Sequence, residues 1–190
     1  MILKEFNFKT IKQIYKQRMK SDFPASERMP YFILKNSLKN GKITFLLFSE
    51  DDIIKGYAIC KESNNIVFIY YFAVFEEYRK NGIGSKFIEE LAEFYEDKKA
   101  IICEVESIET AKNDSEKNIR KRRIDFYKRL GFKIVDEIKY IAYGVDYKII
   151  IKKIDETFSF ELQDIINEVL NCYKSINKRS IRHIKTEIII

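Results

Sequence analysis

Apolar positions along the chain alternate between helical spacing and strand-like runs. Ile11, Ile14, Tyr15 and Arg18 keep helical spacing and predict a helix over residues 10–20, after a short strand over 2–6. Pro24 and Pro30 break "SDFPASERMP", and a second helix over 29–39 stops at Asn40-Gly41, a C-cap pair. Three strand-like runs follow as a meander, "KITFLLFSE", "IIKGYAICKE" and "NIVFIYYFAVF", separated by "DD" and "SNN" turn signals. A helix over 83–98 comes next, and "AIICEVES", short and β-branched, reads as a buried strand. "IETAKNDSEKN" reads as a polar connection and "IRKRRIDFYKRL" as a helix capped by Gly131. "FKIVDEIKYIAY" and "VDYKIIIKKI" read as strands around a turn at Gly144. In "FSFELQDIINEVLNCYKSI", Phe160, Ile165, Ile166, Val169, Leu170 and Tyr173 keep helical spacing, and "NKRSIRHIKTEIII" turns from basic to apolar.

A meander followed by strand–helix–strand–helix–strand predicts an α/β class fold, an α+β mixed sheet with helices packed on it. Residues 1–154 form the expected domain, and 155–190 a C-terminal helix and tail extension. No apolar run approaches the ~18 residues that span a bilayer, and no membrane partner is expected. "MILKEFNFKT" lacks the apolar segment of a secretory leader, so the cytoplasm is the expected compartment. Cys60, Cys103 and Cys172 are odd in number and widely spaced, which speaks against a disulfide framework or a zinc site; no metal is expected. His183 is the single histidine, which leaves no multi-histidine centre or Ser-His-Asp triad to build. The net charge of +6 raises the question of nucleic acid, yet Lys alternates with Glu and Asp as on a solvated surface. Nucleic acid is not the expected partner.

One junction stands out. "EEYRKNGIGSKFIEEL" spends two of six glycines, Gly82 and Gly84, where an apolar strand enters a helix. Glycine admits positive φ and close approach of a ligand to the backbone. The first amides of a helix lack partners, and with the helix dipole they seat a phosphate. Arg79 and Lys80 add charge, and Ser85 a hydroxyl. The plain alternative is an ordinary glycine-rich turn. It is not a dinucleotide fingerprint, because Phe87 occupies the third glycine's place, nor a P-loop.

"AVFEEYRKNGIGSKFIEEL" resembles the acyl-CoA signature of the GNAT superfamily of N-acetyltransferases, Arg/Gln-x-x-Gly-x-Gly/Ala. Further on, "IDFYKRLGF" is similar to the family's helix-to-strand segment ending in Tyr-x-x-x-Gly-Phe. The order of elements up to about residue 153 also fits the family's splayed mixed sheet. The resemblance implies acetyl-CoA as cosubstrate, with its pyrophosphate on the amides of Arg79, Lys80, Asn81, Gly82, Ile83 and Gly84, beside Ser85. It implies a pantetheine arm laid along Phe72, Ala73 and Val74, and direct attack of an amine on the thioester. Tyr127 matches the family's general acid; the plain alternative is a tyrosine packed in the core. The family often has Asn and Ala seven and four residues before that tyrosine, where this chain has Arg120 and Arg123 within "RKRR". Arg120 through Arg123 read most simply as a solvated helix face, and otherwise as ligands of CoA phosphates or a contact for an acidic partner.

An attacking amine also needs a base. Glu104 and Glu106 alternate onto one face of their strand and are the candidates, as proton acceptors or as anchors for a cationic acceptor. Pointing to solvent, or pairing with Lys or Arg, is the competing reading for both. The acceptor is then an amine on a small molecule or a protein. Two other functions stay open at this stage: a catalytically silent acyl-CoA-binding regulatory module, and a nucleic-acid-associated protein using the basic tail, itself more simply a solvated tail. The C-terminal helix is expected to pack rather than catalyse, covered either by its own sheet or by a second copy in a homodimer.

Overall fold

The computed structural model describes every residue except Ser26, Arg179 and Ile190, and the backbone alone at Ser180 and Ile181. The chain divides into two compact units, Met1–Glu62 with Ile69–Phe94, and Ser63–Phe68 with Tyr95–Ile190.

The first unit opens with β1 (Ile2–Lys4) and α1 (Phe8–Ile14), whose Asn7 cap accepts from the Lys9 amide. The helix continues through a π-helical turn (Tyr15–Met19) into α2 (Lys20–Asp22), and α3 (Tyr31–Lys39) follows Pro30. Gly41, at φ +62°, turns the chain out of α3 as the Asn-Gly pair predicts. β2 (Thr44–Glu50), β3 (Ile53–Glu62) and β4 (Ile66–Val74) form the meander, in the order β1-β2-β3-β4. Asp51 and Asp52, both at positive φ, make the tight turn between β2 and β3. Helix α4 (Ile83–Phe94) buries Ile83, Phe87, Ile88 and Leu91. The Phe87 ring stacks on Phe48 with centroids 4.9 Å apart and meets Phe72 at the same distance. That contact fixes the start of α4 against the end of β4.

The first residues of β4 count with the second unit, which holds β5 (Ala100–Glu106), α5 (Asp114–Arg129), β6 (Lys133–Ile134), β7 (Ile138–Ala142), β8 (Val145–Lys153), α6 (Leu162–Ile176) and β9 (Ile184–Ile188). Its strand order is β5-β8-β7-β9, with β6 also on β8. The register sets Glu104 opposite Ile149, and Tyr140 opposite both Tyr147 and Thr186.

Three expectations need correction. Helix α5 starts at Asp114, inside the stretch read as a polar connection, because Asn113 caps it by accepting from the Glu116 amide at 2.9 Å. The strand expected over 132–143 is two, β6 and β7, since its Asp136-Glu137 pair interrupts the ladder. The solvated tail expected for the basic stretch stops short of its end: residues 184–188 are a strand paired antiparallel to β7. Ile190, the end of that apolar run, lies outside the described residues.

Candidate functional site

The junction after β4 belongs entirely to the first unit. From Val74 the chain passes through a 3-10 turn (Glu76–Tyr78), and Lys80 and Gly82 both take positive φ, 69° and 73°. A Cβ built on Gly82 would meet nothing within 4 Å, so the loop is open on that side. The amides of Ile83, Gly84 and Ser85 have no hydrogen-bond partner among the described residues, and the first amide of α4 to be bonded is that of Lys86, to Gly82 O at 3.1 Å. Asn81, Lys80 and Arg79 are exposed, whereas Ile83 turns into the core.

Side chains strap this loop down. The Arg79 guanidinium donates to Asp22 Oδ1 at 2.6 Å and to Val74 O at 2.9 Å. Tyr57 donates to the same Asp22 carboxylate at 3.1 Å. Burial raises the Asp22 pKa above the usual carboxylate range, against the lowering effect of Tyr57 and Arg79. One turn earlier, Arg18 makes a two-pronged pair with Glu77 at 2.6 and 3.0 Å. Lys86, in the first turn of α4, pairs with Glu50, as does Lys55. Arg18, Arg79, Lys55 and Lys86 are thus held by carboxylates, whereas Lys80 forms no ion pair among the described residues and stands unengaged beside the open backbone amides.

Ala73, near the end of β4, has an unforeseen neighbour. A Cβ on Gly56 would come within 2.6 Å of Ala73 O, so only glycine lets β3 lie this close to β4. A lone glycine inside "IIKGYAICKE" carried that signal in the sequence.

The second unit holds the titratable candidates. Tyr127, on the inner face of α5, is 8% exposed, with its ring packed at 5.1 Å from both Phe126 and Phe132. Burial, and then the adjacent Cys103, push its pKa up, so the phenol keeps its proton.

Glu104 and Glu106 share a strand face but not a role. Glu106 pairs with Arg123 at 2.6 Å and with Arg120 at 3.2 Å. Arg120 is buried, and also binds Glu116 at 2.6 Å, Ser107 O at 2.5 Å and Thr110 Oγ1 at 3.1 Å. The reading of Arg120 as part of a solvated face is corrected: it ties α5 to the end of β5. Glu104 forms no ion pair among the described residues. Its Oε2 accepts from Tyr173 Oη of α6 at 2.8 Å, while Oε1 is sealed from solvent and has no partner among them. The Tyr140 hydroxyl stands beside it and lowers its pKa, but without the alignment of a formed hydrogen bond. Burial outweighs both phenols and raises Glu104 to about 7. Nothing local in the sequence links residues 104, 140 and 173; only the fold does.

Among the described residues no helix is long and apolar enough to cross a membrane, and no cluster of three or more His, Cys, Asp or Glu is placed to hold a metal ion. Residues 40–134 match the acetyltransferase (GNAT) domain model, half of the chain. No curated protein matches the sequence. Among solved structures, a GNAT-family protein from Bacteroides thetaiotaomicron superposes with a TM-score of 0.73 at 17% identity, over 96% of this chain and 98% of that one. The ribosomal-protein-S18-alanine N-acetyltransferase from Escherichia coli gives 0.56 at 20% identity, over 84% of this chain and 100% of its own. A GNAT acetyltransferase from Elizabethkingia anophelis, with acetyl-CoA bound, gives 0.54 at 14% identity, over 80% and 97%. At these identities the likeness is one of fold. The family model and the fold agree with the motifs around Gly82 and Tyr127, and the chain belongs to the GNAT acetyltransferase family.

Proposed function

We propose that the protein transfers the acetyl group of acetyl-CoA to a primary amine by direct attack, with residues 1–154 as the acetyltransferase portion and 155–190 as an extension. The observation that supports this is the row of open amides at Ile83, Gly84 and Ser85 behind Gly82. An anion on these amides meets the positive end of α4 and no side chain from Gly82, which suits a pyrophosphate. Phe72, Ala73 and Val74 then serve the pantetheine arm by strand-like pairing, and an amide there donates to the developing oxyanion.

In the transfer, the amine gives up a proton, its nitrogen bonds to the thioester carbonyl carbon, the C–S bond breaks, and the departing thiolate takes up a proton. Glu104, raised to about 7, suits the first proton transfer, since a base works best near the operating pH. Tyr127, kept protonated by burial, suits the last. Glu106, held by two arginines, is the weaker candidate for a base. The Escherichia coli structural neighbour is named for acetylating an alanine of a protein, so both small-molecule and protein amines belong in the acceptor screen.

The test is thiol release from acetyl-CoA across an amine panel, together with the melting temperature with and without acetyl-CoA. Amine-dependent release and a raised melting temperature are expected, because a ligand bound only to the native state stabilises it. Absence of both ends this reading.

A further inference from the structure

Glu104 is an enclosed carboxyl of the second unit with no ion pair among the described residues. Glu106 and Glu116 have arginine partners and Asp155 has Lys99. Among the described residues, Glu104, with its carboxyl end enclosed, is faced by phenols: Tyr173 from α6, Tyr140 from β7, and Tyr147 one step beyond, acting on Tyr140. Its strand partner Ile149 and the nearby Phe68 add no charge. A buried carboxylate without a cation is costly, and the cost falls when a cation arrives. Two polar atoms wait there without partners among the described residues, Glu104 Oε1 and the hydroxyl of Tyr140, a residue 0% exposed.

Aromatic rings lead outward from this point. Tyr173 meets Phe68 at 5.9 Å and Tyr143 at 6.3 Å, and Tyr143 stacks on His183 at 5.3 Å. Tyr143 is 52% exposed and held at positive φ, with its amide donating to His183 O at 2.8 Å. A tyrosine in that backbone region is uncommon, and here it turns the ring toward α6. Ring faces attract cations.

We propose that α6 completes the acceptor site: Tyr173 pins one oxygen of Glu104 so that the other receives an aliphatic ammonium group, with Tyr143 and His183 flanking its approach. Tyr173 is therefore a positioning residue, and the C-terminal helix does more than pack. The proposal rests on the acetyltransferase reading and narrows its acceptor to amines that arrive as cations. At Glu104 the ammonium leaves one proton on the carboxylate, and the freed amine is the nucleophile.

The experiment uses the full chain, a panel of alkylamines, diamines and weakly basic aromatic amines, and the variants Tyr173→Phe and Glu104→Gln. Tyr173→Phe keeps the ring and its contacts but removes the hydrogen bond to Glu104. The expected result is a KM for the alkylamine raised roughly tenfold to a hundredfold, the size of a hydrogen bond to a charged group. The KM for acetyl-CoA stays unchanged. The acidic limb of kcat/KM moves up by about one pH unit, because losing that donor favours the protonated acid. Glu104→Gln abolishes the limb. A wild-type enzyme that prefers weakly basic amines, or a Tyr173→Phe variant whose limb stays in place or whose two KM values rise together, overturns the proposal and leaves the acetyltransferase reading intact. A wild type that releases no thiol with any amine overturns both.

Discussion

Around residues 79–85 the groups offered to a ligand are backbone amides on an open loop, whereas around Glu104 they are side chains drawn from β5, β7 and α6. The loop's chemistry depends on conformation: positive φ at Lys80 and Gly82, and a helix that begins at Ile83. Its side chains serve mainly as ties, as Arg79 does to Asp22. The Glu104 group depends on enclosure, which shifts a proton equilibrium, and on phenols that stay protonated. Substitutions at the first should act on binding with little regard to pH. Those at the second should act on turnover and through pH.

The largest expected effect is at Tyr127. Tyr127→Phe keeps the ring between Phe126 and Phe132 and removes the hydroxyl. With a general-acid role, kcat falls roughly 100- to 10,000-fold while the melting shift with acetyl-CoA persists. Unchanged turnover with chemistry shown to be rate-limiting would leave Tyr127 as a packing residue.

The next effect concerns stability. Glu104 titrates near 7 in the folded chain against an ordinary value of 4.5, so between those limits the folded state holds a proton that the unfolded state has lost. Stability from this group therefore falls as pH rises from about 4.5 to 7 and is level on either side, a change on the order of 3 kcal/mol. Glu50 and Asp155 are both held down at about 2, so their contributions are complete above 4.5 and fade only in more acid solution. Melting curves of wild type and Glu104→Gln from pH 4.5 to 8 check the point. The part of the decline set by Glu104 should vanish in the variant, leaving the share owed to Asp22, whose pKa burial also raises, and parallel curves would show that the Glu104 carboxyl is not enclosed as described.

How much of this was legible in the sequence follows the same division. The loop was, since glycines at a strand-to-helix junction state a local conformational need, and Gly82 and Ile83 fulfil it at once. The meander was too, because β2, β3 and β4 are long apolar runs with turn residues between them. Gly56 gave a signal that went unused. Tyr140 and Tyr173 gave none: one is among twelve tyrosines, the other part of an apolar helix stripe, and their meeting with Glu104 depends on long-range register. Arg120 misled because a cationic run normally lies in water; its burial depends on four oxygen-bearing partners, Glu106, Ser107, Thr110 and Glu116, gathered between the end of β5 and the start of α5.

Gly82→Ala sharpens the comparison from the loop side. At φ +73° any Cβ brings roughly 1–2 kcal/mol of strain, although space is open around it. Gly41, at φ +62° with equally open surroundings, is the matched control. Both alanine variants should melt lower by similar amounts, but only Gly82→Ala should also shrink the rise produced by acetyl-CoA. Equal rises in the two would move the cofactor seat away from this loop.

The smallest effect is expected at Asp22. Its carboxylate is buried, but the Arg79 side chain is 47% exposed, so their pair is screened and worth no more than about 1 kcal/mol. Asp22→Asn leaves one acceptor oxygen where Tyr57 and Arg79 use two, and removes the charge, so the strap weakens without falling away. If the seat is made by the backbone, acetyl-CoA affinity measured by calorimetry should drop only a few-fold, in line with a weak ion pair. The part of the decline in stability between pH 4.5 and 7 set by Glu104 should persist, since Asp22 is not among the groups that set Glu104. An affinity loss as large as that of Gly82→Ala would show that side-chain ties hold the amides in place. The contrast between a backbone-built loop and a side-chain-built acid cluster would then fail at its first term.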